Sequence, residues 1–347
     1  MVNHIKKIVV ALIGYGMSGR QFHLPPLLEN PNYLVKSVMT RNEKNQQDLL
    51  QLVPQAVIIT NYQDVLDDPT IDLVILATSN DVHYAYTKEA LLKGKHVVCE
   101  KPFVETYLQA KELYDLAHEK HLVLRVFHNR KYDGDFLTTE DLMRTRDFGK
   151  IVSFSTRFDR YVPEIGANWR FKKGDMAGIY YDLAPHLVHH VIKLFGLPTH
   201  VHNVILRDRE GSLVDDHFEM TLYYPDKTCY LGAQMLDRHP KPRIEVVGTK
   251  ATYVKYGFDI PDSVHQKEDA RYQTTSNRSD WIEIGKQVEH IPVYLGRHYL
   301  FYENLYTQIL NPAQIDFDQK LALSVILVME KGWKANEMRE ILEIPTI

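Results

Sequence analysis

Two cysteines, Cys99 and Cys229, are too few and too far apart for a disulfide scaffold or a thiolate zinc centre, and both read as small apolar strand residues. No apolar run approaches the ~20 residues that span a bilayer. The opening Met1-Val2-Asn3-His4-Ile5-Lys6-Lys7 leads into a strand pattern without the apolar core of a secretory leader, so a cytoplasmic location with no membrane partner is expected. Positive charge is not in excess: 41 Lys plus Arg stand against 45 Asp plus Glu, a formal charge of −4, with no basic block to suggest a nucleic-acid partner. Internal repeats and low-complexity segments are also lacking. What is present is a chain of 347 residues, 44% apolar, long enough to fill two cores.

The run Ile8-Val9-Val10-Ala11-Leu12-Ile13 precedes Gly14-Tyr15-Gly16-Met17-Ser18-Gly19 and a helical pattern from Arg20 onward. In a strand, turn and helix of this kind, Gly14 permits the turn, Gly16 lets the backbone approach a pyrophosphate, and Gly19 lets helix and strand pack closely. The helix start offers N–H groups and partial positive charge to phosphates, which makes Gly14, Gly16, Met17 and Ser18 candidate cofactor residues.

Short apolar runs and helical patterns alternate through the first part of the chain. Strands are expected at Ile5–Ile13, Leu34–Met39, Ala56–Ile59, Leu73–Ala77, His96–Cys99 and Leu122–Phe127, with helices at Val82–Leu92 and Glu105–His118. This predicts an α/β Rossmann domain, a parallel doubly wound sheet, over residues 1–128. Ala77-Thr78-Ser79-Asn80 and Cys99-Glu100-Lys101-Pro102 leave two strand ends toward the crevice of the glycine loop. From 129 to 347 an α+β domain is expected. Its helices are Asp133–Arg146 and Tyr180–Phe195, a long strand is Ile151–Tyr161, and further strands are His200–Leu206, His217–Tyr224, Thr228–Leu236, Arg243–Val247 and Ala251–Tyr256. Asp262–Arg278 reads as a surface loop, and helices resume at Tyr299–Leu310 and Phe317–Asn336.

An NAD site of this type carries an acidic residue at the end of the second strand. Here that place holds Thr40-Arg41, a hydroxyl and a guanidinium suited to a 2′-phosphate, so NADP(H) is the expected cofactor; the competing reading makes Arg41 a solvated loop residue. Lys101, at a strand end and followed by the turn-fixing Pro102, can hydrogen-bond a substrate hydroxyl, though a lysine is usually a plain surface residue. Asp182 and His186 share a helix face, where a histidine of ordinary pKa ~6.5 can exchange a proton with an alcohol and a carboxylate can orient it. A dipole-complementing acid and a packed core histidine remain the alternatives. His186 and His190 have metal-ligand spacing, with His189 beside them, but no third ligand stands at an obvious spacing and no metal is expected. His128-Asn129-Arg130 and Asn168-Trp169-Arg170 either line the cleft or serve as structural hydrogen-bonders.

Together these segments resemble the Gfo/Idh/MocA family of sugar and cyclitol oxidoreductases over essentially the whole chain: the glycine loop, Ala77-Thr78-Ser79-Asn80 with His83, Glu100-Lys101-Pro102, and Gly178 followed by Asp182-x-x-x-His186. The run Phe127–Phe136, Trp169-Arg170 and Gly19-Arg20-Gln21-Phe22-His23 look like its branch of NADP-dependent scyllo-inositol dehydrogenases. The resemblance implies Lys101, Asp182 and His186 as the catalytic group. It also implies Thr78, Ser79, Asn80, His83, Glu100, Lys101, Asn129, Trp169 and Arg170 as further cofactor-site residues. It further implies an NADP-preferring dehydrogenase of CH–OH donors, a polyol or sugar substrate, and a large open second sheet supporting a homodimer or homotetramer. Ser79 stands where proline is frequent, and Ala177 where glycine is frequent. Reduction of a different carbonyl or imine, or a silent NADP-sensing role, are the other readings; a sensor has no need of the Lys101, Asp182 and His186 set.

Overall fold

The computed structural model describes residues 7–165, 174–258, 278–283, 285–311 and 316–347. The chain divides into two units, residues up to Phe127 with His298–Lys320, and His128–Arg297 with Leu321–Ile347. A continuous division at residues 128 and 129 was the expectation from the chain pattern; the segment 298–320 instead groups with the first unit. The reason lies in its hydrogen bonds, because the Tyr302 backbone carbonyl accepts from the Tyr33 hydroxyl at 2.7 Å and the Gln308 side chain bonds the buried Arg125 guanidinium.

The first unit contains β1 (Ile8–Ile13), α1 (Leu24–Glu29), β2 (Tyr33–Met39), α2 (Glu43–Leu52), β3 (Val57–Ile59), α3 (Tyr62–Leu66), β4 (Leu73–Leu76), α4 (His83–Leu92), β5 (His96–Cys99), α5 (Tyr107–Glu119) and β6 (Leu124–Val126). Its strands are all parallel in the order β3-β2-β1-β4-β5-β6. The order reverses between β1 and β4, where doubly wound sheets bind ligands beyond their carboxyl ends. Leu73, Val74, Ile75 and Leu76 are fully buried, as an interior strand covered on both faces requires. Burying each such side chain contributes roughly 1.5–3 kcal/mol. Local signals start the helices: the Asn42 side chain accepts from Asn45 N–H, and Thr106 with Gln109 forms a capping box on α5.

The second unit contains α6 (Gly134–Thr145), β7 (Ile151–Arg157), α7 (Gly178–Phe195), β8 (His200–Leu206), β9 (His217–Tyr223), β10 (Thr228–Gln234), β11 (Ile244–Gly248), β12 (Ala251–Tyr256), β13 (Arg278–Glu283) and β14 (Glu289–His290). Then α8 (Leu300–Leu310) lies in the first unit, α9 (Asp316–Met338) follows, and β15 (Leu342–Glu343) pairs with β8. The described strands form one sheet in the order β14-β13-β12-β11-β7-β10-β9-β8-β15, antiparallel except for β7 beside β10. Phe218, Met220, Leu222, Cys229 and Leu231 are buried on β9 and β10, where α7 packs, and the buried Phe154 of β7 meets Phe195 of α7 at 5.5 Å.

The expected strand Ile151–Tyr161 is shorter, with β7 ending at Arg157, although Tyr161 still bridges to Leu236. The expected loop Asp262–Arg278 lies outside the described residues except for Arg278, which opens β13. No described helix is long and apolar enough to cross a membrane.

Candidate active site

The glycine loop leaves β1 at the switch point. Gly14 has φ +103°, and a Cβ there would stand 2.3 Å from the Ala77 carbonyl oxygen after β4. A Cβ on Gly19 would meet the Gly14 carbonyl at 2.1 Å, whereas Gly16 has nothing within 4 Å of its missing Cβ. Two glycines are thus enforced by close backbone approach and the third opens to a ligand, the division of labour a pyrophosphate loop needs. Met17 is exposed and Ser18 half-buried, and a π-helical turn, Gly19–His23, follows them. At the end of β2, Thr40 is buried, its N–H donating to the Ile59 carbonyl at 3.1 Å. Arg41 is exposed, its Nε 3.4 Å from the Thr60 carbonyl. Thr78 is half-buried, Ser79 exposed and Asn80 buried at the start of a short 3-10 turn, Asn80–Val82.

Lys101 is half-buried after β5 and is joined to Pro102 by a cis peptide. Two neighbours expected among the cofactor residues are engaged by the protein itself. His83 is wholly buried and its Nδ1–H donates to the Pro102 carbonyl at 2.8 Å, while burial pushes its pKa down. Glu100 accepts from the Ser18 hydroxyl, from the Lys101 backbone N–H at 3.0 Å and from His23 Nε2 at 3.1 Å. Burial alone would raise the Glu100 carboxyl; the His23 hydrogen bond and charge, Lys101 and Ser18 outweigh it and hold the carboxyl at about 2.

In the second unit α7 carries Asp182, half-buried, and His186, buried, one helical turn apart. Pro185 lies between them and lacks the N–H that would bond the Tyr181 carbonyl. The start of α7 has no local side-chain cap. It is held by Asp215, whose carboxylate accepts from Tyr180 N–H at 2.6 Å and whose carbonyl accepts from Ile179 N–H at 3.1 Å. Gly178, with φ +92°, is required because a Cβ would fall 2.0 Å from Asp215 Oδ1. Burial first, then the Asp216 charge, raises the Asp215 carboxyl to about 6 against the lowering effect of those amides. The Phe158 ring lies edge-on to His186 at 6.5 Å and carries the Arg243 and Arg130 guanidiniums at 4.0 and 4.9 Å.

His189 and His190 are built into packing. His190 stacks on Phe136 at 4.0 Å and bonds the Arg130 carbonyl at 3.1 Å, and His189 lies against His128 at 4.6 Å. Burial drives both imidazoles well below their ordinary range. Among the described residues no group of three His, Cys, Asp or Glu side chains could hold a metal. Asn129 is buried at the start of a 3-10 turn, Asn129–Tyr132. Asn168, Trp169 and Arg170 lie outside the described residues. Sequence reasoning missed three residues of this architecture. His23 lay within the quoted Gly19–His23 run without a role, Tyr302 read only as helical, and Asp215 has no local signal because it acts 35 residues away from Tyr180.

Residues 8–128 match the family described as an oxidoreductase family with an NAD-binding Rossmann fold, and residues 136–254 match the GFO/IDH/MocA C-terminal domain. The chain is 39% identical to the uncharacterized oxidoreductase YdgJ of Escherichia coli over 73% of this chain and 72% of that one. The chain belongs to the Gfo/Idh/MocA oxidoreductase family. It is also 30% identical to scyllo-inositol 2-dehydrogenase (NADP(+)) IolW of Bacillus subtilis, over 96% of this chain and 95% of that protein. A solved oxidoreductase structure from Yersinia pestis superimposes with TM-score 0.89 at 30% identity, covering 99% of this chain and 98% of the other. The protein is thus an oxidoreductase of this family with a nicotinamide-dinucleotide domain, and the open position at Gly16 fits such a cofactor.

Proposed function

We propose that this oxidoreductase transfers hydride reversibly between NADP(H) and a ring carbinol of a cyclitol or sugar. The observation that carries this reading is the likeness, over 96% of the chain, to a protein whose name specifies both NADP+ and scyllo-inositol. When bound, the nicotinamide supplies the hydride acceptor or donor.

The residues of this chain do the rest. The loop Gly14, Gly16, Met17 and Ser18 holds the phosphates with backbone N–H groups, and Thr78, Ser79, Asn80, Asn129, Trp169 and Arg170 complete the cofactor and substrate contacts. Thr40 and Arg41 select the 2′-phosphate, Arg41 being exposed with its Nε 3.4 Å from the Thr60 carbonyl. His83 and Glu100 act at one remove, since both anchor the turn that presents Lys101. Lys101 hydrogen-bonds the reacting hydroxyl and stabilises its oxygen as the proton leaves. His186 takes that proton during oxidation and returns it during reduction, and Asp182 orients the substrate and the imidazole. The enzyme works in the cytoplasm as a homodimer or homotetramer. Val204, Leu206, Tyr230 and Ile282 are exposed, and the strand registers put them on the same face of the large sheet, apolar surface suited to a second copy.

A panel of cyclitols and sugars with NADP+ and with NAD+, followed by absorbance of the reduced nicotinamide, tests the reading. Turnover of scyllo-inositol or a related polyol with NADP+ is expected. Equal or better efficiency with NAD+ sinks the cofactor assignment. Turnover confined to other carbonyls or imines sinks the substrate class, and dinucleotide binding with no turnover at all leaves a sensor.

A further inference from the structure

Three groups of the first unit meet at the Glu100 carboxylate. Ser18 of the glycine loop donates to Oε1, the backbone N–H of Lys101 donates to Oε2 at 3.0 Å, and His23 Nε2 lies 3.1 Å from Oε1. His23 has no exposed surface, and its other ring nitrogen, Nδ1, lies 2.5 Å from the Tyr302 hydroxyl of α8. The Phe127 ring packs against the imidazole with centroids 4.1 Å apart. Both nitrogens of one buried ring are therefore committed and its plane is fixed. His23 ends the π-helical turn Gly19–His23, and single π turns inside helices frequently mark functional sites.

We propose that His23 is a positioning residue for the reaction: through Glu100 it locks the turn bearing Lys101 to the glycine loop bearing Ser18. The inference rests on the reading of Lys101 and the glycine loop given above. Its physical basis is that a buried carboxylate is tolerated only while it is paired and hydrogen-bonded. Without the imidazole, Glu100 either takes up a proton or swings toward water. In both cases it ceases to accept from Ser18 and from the Lys101 N–H together, and the lysine loses its fixed place beside the loop. A displacement of about 1 Å at a reacting group costs on the order of a hundredfold in rate. The titratable groups around Glu100 are His23, Lys101, His83, Cys99 and Tyr302.

The experiment measures kcat and substrate KM between pH 5 and 9, with NADPH affinity by fluorescence, for His23→Leu, His23→Gln and Tyr302→Phe. His23→Leu is expected to lower kcat at pH 8 by about tenfold or more while KM moves less than about threefold. Its kcat profile should gain a second acid limb beyond the one His186 gives the unaltered enzyme, because Glu100 then titrates in the working range, and adding Glu100→Gln should abolish that second limb. His23→Gln, which retains an N–H donor, should recover part of kcat, and Tyr302→Phe should lose two- to threefold, an effect of one neutral hydrogen bond. A His23→Leu enzyme that melts earlier but keeps kcat and its pH profile would reduce His23 to a structural role. If His23→Leu does not fold, unchanged kcat in both His23→Gln and Tyr302→Phe overturns the proposal. Lys101→Ala run alongside separates the two failures. Full turnover without Lys101 sinks the catalytic reading, whereas an inactive Lys101→Ala enzyme with fully active His23 variants sinks the positioning role alone.

Discussion

Two buried carboxylates hold the two segments that carry the proposed catalytic groups, and their surroundings are opposite. Glu100, beneath the Lys101 turn, faces His23, Lys101 and the Ser18 hydroxyl, and its carboxyl is held at about 2. Asp215, beneath the start of α7, faces the backbone N–H of Tyr180 and Ile179 and is raised to about 6. The adjacent Asp216 has a cation of its own: it accepts from Arg209 Nε at 3.0 Å and from the Asp208 and Arg209 backbone N–H groups at 2.7 and 3.2 Å. Burial acts on both carboxylates in the same direction, so the partners decide the outcome. His23, Lys101 and the Ser18 hydroxyl overcome the desolvation of Glu100, and backbone amides do not overcome that of Asp215. The Glu100 carboxylate consequently stays ionised across the range where enzymes work, while the Asp215 carboxyl titrates at its lower edge.

The largest effects come from removing what each carboxylate supports. His186→Ala and Lys101→Ala should each lower turnover by roughly 10²–10⁴. NADPH affinity should stay nearly intact in His186→Ala. Unchanged turnover in either variant removes that residue from the mechanism and empties the comparison of functional meaning.

Next in size are two glycine substitutions. Gly178→Ala places a Cβ 2.0 Å from Asp215 Oδ1 at φ +92°, so both the cap and the backbone must yield. Chemical denaturation should record a loss of about 3 kcal/mol, at the upper end of local backbone strain. Gly16→Ala meets nothing within 4 Å. It should change stability by less than about 1 kcal/mol while weakening dinucleotide binding measurably. A Gly178→Ala protein as stable as its parent would show that the Asp215 cap does not hold α7.

The smallest effects are in the pH dependence of stability, and they carry opposite signs. Glu100 is depressed below its ordinary 4.5, so its contribution is complete above that pH and is lost as pH falls toward 2; Glu100→Gln should flatten the acid side of the melting curve. Asp215 is raised above its ordinary 3.8, so its ionisation opposes folding, and stability from this group grows as pH falls through 6 toward 3.8. Asp215→Asn keeps an oxygen for Tyr180 N–H. It should therefore melt at least as high as the parent at pH 7.5, with any advantage shrinking by pH 4. Parallel pH profiles for the two variants would contradict the assignment of opposite environments.

The parallel sheet was legible in the sequence because most of its strands are short, mainly apolar runs, and the glycine loop sits at a fixed place after the first of them. The E-K-P turn and Asp182-x-x-x-His186 were legible for a similar reason: each is a local motif on a recognisable element. Long-range partners were not. His23 meets Tyr302 from 279 residues away, and Asp215 caps α7 from 35 residues beyond Tyr180. Neither pairing leaves a periodicity or a local spacing. The same limit explains the domain division, since Tyr299–Leu310 reads as a helix whichever unit it joins. The strand β13, Arg278-Ser279-Asp280-Trp281-Ile282-Glu283, was missed because it shows no apolar alternation; Asp280 is buried and paired with His290 at 2.5 Å, a polar solution no pattern of hydrophobicity reveals.

Hydride transfer from a ring carbinol to NADP+ is the claim on which the roles of both regions depend. Incubation with NADP+ and scyllo-inositol deuterated at every ring carbon, followed by mass spectrometry of the reduced cofactor, tests it in one step. The account predicts NADPH heavier by one deuterium. Reduced cofactor without deuterium, or no reduction of NADP+ by any deuterated cyclitol or sugar, would contradict it.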